Sequence, residues 1–178
     1  MKVIASNKKG AGIHSPYIYR LVTTVLCDTF PYYAYEKSDE WALPRAEIGQ
    51  WKLFFRVVNF FQPGRIVVFG EAGSQQVEFL SEACRKAVVE RPAEPDSGKL
   101  SFCNELVVWT PDALFYPEIP DEAGPAVWLV SNLHQPGAAA FFDFFRKQQK
   151  VTVTLDLQVA GMIIFSDKLQ KQDFVIKT

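Results

Sequence analysis

Residues 65–77, Arg-Ile-Val-Val-Phe-Gly-Glu-Ala-Gly-Ser-Gln-Gln-Val, constrain this chain more than any other stretch. The apolar, mostly β-branched run Ile66–Phe69 reads as a buried strand, Gly70 interrupts it, and a helical stretch opens near Ser74. Strand, tight turn and helix in that order form the first βα unit of an α/β sheet. The turn is the place where backbone N–H groups can face a nucleotide-type ligand. Here the turn holds only Gly70 and Gly73, with the acidic Glu71 between them. The stretch therefore specifies an architecture and leaves open whether a cofactor is bound.

The 178 residues suffice for one domain with a substantial core. Nineteen basic and 20 acidic residues give a net charge of −1, which supports neither nucleic acid nor an anionic membrane as partner. Fifteen Phe and four Trp exceed what packing alone requires, so some aromatic surface is expected to be exposed and to offer a homodimer contact. Cys27, Cys84 and Cys103 match neither a disulfide framework nor a metal site and read as buried, reduced thiols of a cytoplasmic protein. Neither a secretory leader nor a membrane span is expected from the apolar patterning.

Local signals divide the chain into a flexible arm (1–12), N-terminal helices (13–62) and an α/β core with a C-terminal β-hairpin (63–178), all within a single domain. Ser15-Pro16 supplies a helix cap and a first-turn proline ahead of a helix over Tyr17–Cys27. A second helix spans about Arg45–Phe61 and stops at Gln62-Pro63-Gly64. After strand Ile66–Phe69 come a helix over Gln75–Val89, an extended stretch Leu100–Trp109, an irregular Pro-rich segment 110–125 and strand Ala126–Val130. Pro136-Gly137 opens a helix running to about Gln149. Val151–Leu157, Gly161–Ser166 and Asp173–Lys177 are expected to pair antiparallel, there being little room for helices between them.

Several stretches carry a resemblance. Gly12-Ile13-His14-Ser15-Pro16-Tyr17-Ile18-Tyr19 resembles a G-x-H-S-P-F-x-Y segment, Tyr32-Tyr33-Ala34-Tyr35-Glu36 an aromatic connector, and Gly49-Gln50 through Phe61-Gln62-Pro63 the helix before the first strand. Val151–Leu157, Gly161–Phe165 and Phe174-Val175-Ile176 resemble the closing hairpin. All belong to a methyltransferase-like family of bacteria, familiar in Bacteroidetes, related to the class I S-adenosylmethionine (SAM)-dependent methyltransferases. The resemblance implies an α/β fold: a Rossmann-like, mostly parallel sheet with N-terminal helices and an antiparallel C-terminal edge. It covers both ends of the chain well and the middle poorly, where a strand–helix unit between residues 90 and 135 is missing.

The resemblance also implies where SAM would be held. The family's acidic-x-Gly-x-Gly-x-Gly positions fall on Val68, Gly70, Ala72 and Ser74, of which only Gly70 is kept. Glu71 lies where it could meet the cationic amine of SAM. The carboxylate that grips the ribose, about 20 residues past the glycines, falls on Glu90, or on Glu105 if residues 100–105 form the second strand. The acidic strand end, D-G-N-H or D-D-I-H in relatives, becomes Ser131-Asn132-Leu133-His134. The candidate cofactor-binding residues are thus Gly70, Glu71, Gly73, Ser74, Glu90 and Asn132. The one candidate for proton transfer is His134, whose intrinsic pKa suits a base, although a structural role in its loop is favoured. His14 reads as a capping or packing residue.

Among the helical phenylalanines, Phe141, Phe144 and Phe145 are expected to share the core face and Phe142 to point aside. The five tyrosines at 17, 19, 32, 33 and 35 either pin the N-terminal helices to the sheet, which is favoured, or line a substrate pocket. Three functional readings follow, the third a domain that still binds a nucleoside-like ligand but does no chemistry. The favoured one is a shortened, degenerate SAM-methyltransferase-like domain that acts as a non-catalytic binding or regulatory module, with no metal and no bound cofactor. The alternative is an active SAM-dependent methyltransferase acting on a small molecule.

Overall fold

The computed structural model describes residues 2–5, 13–92, 100, 103–113, 115–119 and 124–177. Among the described residues, eight strands form one sheet: β1 (Lys2–Ala5), β2 (Arg65–Phe69), β3 (Val88–Glu90), β4 (Glu105–Trp109), β5 (Ala126–Val130), β6 (Val153–Asp156), β7 (Gly161–Phe165) and β8 (Gln172–Lys177). Their order is β1-β8-β6-β7-β5-β4-β2-β3. The pairs β2–β3, β2–β4, β4–β5, β6–β8 and β1–β8 are parallel, and β7 is antiparallel to both neighbours, β5 and β6. This is a Rossmann-like, mostly parallel α/β sheet whose antiparallel pairing lies in its C-terminal portion.

Strands β4, β5 and β7 are buried along their whole length, because both faces of the sheet are covered. One face presents Ile66, Val68, Leu106, Val108, Val127 and Leu129 to the helices that precede β2 and to the helix that follows it. These are α1 (Pro16–Leu21), α2 (Tyr35–Asp39), α3 (Arg45–Phe61) and α4 (Ser74–Ala83). The alternate residues, Val67, Phe69, Val107, Trp109, Trp128 and Val130, face α5 (Pro136–Arg146). The period of two in each strand thus builds two cores on opposite sides of one sheet.

Several elements follow their sequence signals closely. Ser15 Oγ accepts from Ile18 N at 3.4 Å, and Pro16 takes the first helical position. Gln62 ends α3 in the left-handed region (φ 48°) with its N–H on Val58 O at 2.9 Å. Tyr32 and Tyr35 pack on Phe55, and Tyr35 donates to Lys52 O at 3.2 Å, so these two rings do pin the helical layer. Tyr19 and Tyr33 are exposed.

Other elements differ. α1 gives way at Val22–Leu26 to a π-helical turn, where Thr24 Oγ1 donates back to Arg20 O at 2.8 Å and Cys27 N reaches Val22 O at 3.0 Å. Arg56 closes this turn by donating to Val25 O at 2.8 Å and Leu26 O at 3.4 Å. The helix expected to reach Val89 stops at Ala83. Cys84 leaves helical geometry, and the β-branched pair Val88-Val89 instead joins β2 as β3. Within the expected flexible arm, Lys2–Ala5 forms β1 against β8, while residues 1 and 6–12, including Gly12 of the N-terminal motif, lie outside the described residues. Of the three tail strands, only β7 runs antiparallel, and β6 and β8 pair parallel. The tail can do this because β7 inserts between β5 and β6, which leaves the far side of β6 open to β8. None of the three cysteines forms a disulfide. Cys84 is buried as expected, Cys27 is half-buried, and Cys103 is exposed because it precedes β4 on a surface turn.

α5 turns Ala138, Phe141, Phe142 and Phe145 inward and leaves Phe144 46% exposed, the reverse of the expected roles of Phe142 and Phe144. The reason lies in β7. A Cβ at Gly161 would stand 2.5 Å from Phe142 Cδ2, so the missing side chain of this glycine makes the space that the ring fills. Among the described residues no helix is long and apolar enough to cross a membrane.

Candidate functional site

In an open α/β sheet, ligands approach the carboxyl ends of the parallel strands. Among the turns that meet there in this protein are 70–74 after β2, 110–112 after β4 and 131–134 after β5. Because β4 lies between β2 and β5, the 110–112 turn stands between the other two.

Gly70 has φ +87°, a conformation that a side chain would strain, so the glycine is required by the turn itself. The space in front of it is filled. A Cβ on Gly70 would fall on the Thr110 hydroxyl and lie 2.7 Å from Asp112 Oδ2. Thr110 Oγ1 lies 3.1 Å from Phe69 O and 2.5 Å from Asp112 Oδ1, and the Glu71 N–H donates to Asp112 Oδ2. An aspartate of the same chain therefore occupies the N–H that the turn would offer to an anionic group. Gly73 caps α4, whose first residue is Ser74. The Gln76 side chain folds back over Gly73 into the space a Cβ would take. The Glu71 side chain is exposed.

Asn132 also sits in the left-handed region (φ 50°), and its N–H is held by the buried Gln50 Oε1 of α3 at 2.8 Å. Ser131 N donates to Trp109 O at 2.9 Å, while the buried Ser131 hydroxyl has no partner among the described residues. His134 is exposed, and among the described residues nothing holds its ring. Gly70, Glu71, Gly73, Ser74, Asn132 and His134 therefore share one edge of the sheet, with Thr110 and Asp112 wedged between them.

Neither candidate for the ribose carboxylate joins them. β3 pairs only with Arg65–Val67, so it stops two residues short of the Gly70 turn, and Glu90 turns back to Arg65 at 2.5 Å. This contact holds the Glu90 carboxyl below its ordinary pKa. Glu105 begins β4 at the opposite edge of the sheet, buried, with Oε1 also 2.5 Å from Arg65. Both acids are held by Arg65 where β2 begins and are not available at its end. Among the described residues, no three His, Cys, Asp or Glu side chains gather as a metal site.

Two of the cavities among the described residues lie away from this edge and are lined by no residue of 70–74 or 131–134. One, of about 600 Å³, lies at the amino edge between the start of α1, the end of α3, the beginnings of β4 and β5 and the end of β7. The other, of about 520 Å³, lies beside Tyr116, Ile119 and the C-terminal turn of α5.

Sequence reasoning missed Thr110 and Asp112 because Pro111 marked the segment as irregular. The signal was present all the same. A Thr-Pro-Asp triplet directly after a buried strand places two short polar side chains where they can satisfy nearby backbone groups. Comparison with protein-family models, with curated proteins and with solved structures finds no match to this chain.

Proposed function

We propose that the chain is a shortened, degenerate SAM-methyltransferase-like domain that carries out no methyl transfer and works as a binding or regulatory module in the cytoplasm. The observation that carries this reading is the filled first turn. Thr110 and Asp112 take the space in front of Gly70 and the Glu71 N–H, where the methionine end of SAM would be received. Three further features support it. Val68 and Ala72 are buried apolar residues at positions where the resemblance requires an acid and a glycine. Glu90 is engaged by Arg65. Ser131 offers no charge beside His134.

The module reading gives the exposed aromatics a role. Phe30, Tyr33, Tyr116 and Phe144 present rings to solvent, and a homodimer through such a surface is the simplest partner. No nucleic acid belongs to this reading. Sedimentation velocity over a range of concentrations tests the dimer, and a monomer at every concentration removes it.

Titration calorimetry with SAM and S-adenosylhomocysteine tests the main reading. The expected result is no binding of either ligand to the wild type at micromolar concentrations. Micromolar binding that disappears in Gly70→Val overturns it; in the active alternative Asp112 must swing out and Glu71 receive the amine.

A further inference from the structure

The amino-edge cavity is a second place where the chain can receive a ligand, and it stands independently of the first turn. Its volume of about 600 Å³ falls within the range of about 300–1,000 Å³ typical of small-molecule sites. Its walls are apolar: Phe61 and Pro63 from the end of α3, Leu106 and Val127 from the sheet, and Ile164 and Leu169 around the end of β7. The polar lining is sparse: Ser15, Tyr17, Asn104 and Ser166, besides the charged Glu105 and Lys168. Ser15 Oγ accepts from Ile18 N at 3.4 Å and Ser166 Oγ from Lys168 N at 3.3 Å, so each hydroxyl keeps its proton to donate. The Lys168 side chain is exposed at the rim, and among the described residues it forms no ion pair. The other charged lining residue, Glu105, is held at 2.5 Å by Arg65, which it shares with Glu90.

From this arrangement we infer that the cavity binds a small amphipathic acid: an apolar body of about ten carbons held against Leu106, Val127 and Ile164, with the carboxylate at Lys168 and the two hydroxyls. Burial of the body supplies the affinity, and the charged rim selects the anion over a neutral analogue.

Titration calorimetry of the whole chain with octanoate, decanoate and decanol, the monomeric probes, tests the inference. Decanoate is expected to bind once per chain, roughly 15-fold more tightly than octanoate, since each buried methylene is worth about a fourfold change. The exposed substitution Lys168→Glu is expected to weaken decanoate at least about tenfold and to leave decanol within about twofold. Val127→Phe, which fills the cavity, is expected to abolish both, with circular dichroism confirming that it folds. Absence of saturable decanoate binding to the wild type overturns the inference. So does decanoate binding that is unchanged by Lys168→Glu, or that persists in a folded Val127→Phe variant.

Discussion

Gly70→Ala probes whether the loop after β4 truly seals the first turn. Two costs arise. At φ +87° an alanine costs about 1–2 kcal/mol more than glycine in backbone strain. Its Cβ would also displace the Thr110 hydroxyl, whose contacts with Phe69 O (3.1 Å) and Asp112 Oδ1 (2.5 Å) would be lost. The hydroxyl has one proton to donate, so what is lost is one hydrogen bond, about 1 kcal/mol net. The total is about 2–3 kcal/mol, which for a domain of this size lowers the melting temperature by about 4–12 °C. Gly49→Ala is the control. Gly49 lies exposed within α3 with nothing near its would-be Cβ, so alanine there stabilises by up to about 1 kcal/mol. Urea unfolding followed by circular dichroism measures both, and Thr110→Ala completes a double-mutant cycle. If the hydroxyl is what the new methyl meets, Gly70→Ala and Thr110→Ala together cost about 1 kcal/mol less than the sum of the single changes. A strictly additive cycle, or a Gly70→Ala cost no greater than the backbone strain alone, would refute the filled turn.

Two other expectations concern the core and the Arg65 cluster. Phe142→Ala empties the space opposite Gly161 and costs about 3–5 kcal/mol, whereas Phe144→Ala, which loses edge contacts with Tyr116 and Phe145 from a half-exposed ring, costs about 1 kcal/mol; chemical denaturation separates them, and equal costs would show that α5 is rotated differently. The hydrogen bond from Arg65 lowers the folded pKa of Glu90, so its contribution to stability is present above the unfolded value near 4.5 and is lost as pH falls through the lower folded one. Melting temperatures of Glu90→Gln should therefore fall less steeply below pH 4.5 than those of the wild type, and parallel profiles would contradict the pairing.

The elements were legible in the sequence because their causes are local. Ser15-Pro16 caps a helix by its own chemistry. Gln62-Pro63-Gly64 cannot continue one, and Ala126–Val130 is an apolar run of strand length. The strand–turn–helix unit at Ile66–Ser74 announced the α/β sheet for the same reason, since Gly70 permits the turn whatever surrounds it. The tertiary structure decided everything that depends on which strands become neighbours. Placing β4 between β2 and β5 brought Asp112 to the Glu71 N–H. Ending β3 at the level of Val67 drew Glu90 to Arg65, and inserting β7 between β5 and β6 freed a parallel seat for β8. Gly161, 19 residues beyond Phe142, chose which phenylalanine of α5 is buried. By itself the sequence determined that a turn of this shape exists. What fills the turn was decided by a side chain 41 residues away, because long-range pairing is set by the fit of faces and edges and leaves no periodic trace in the residues it joins.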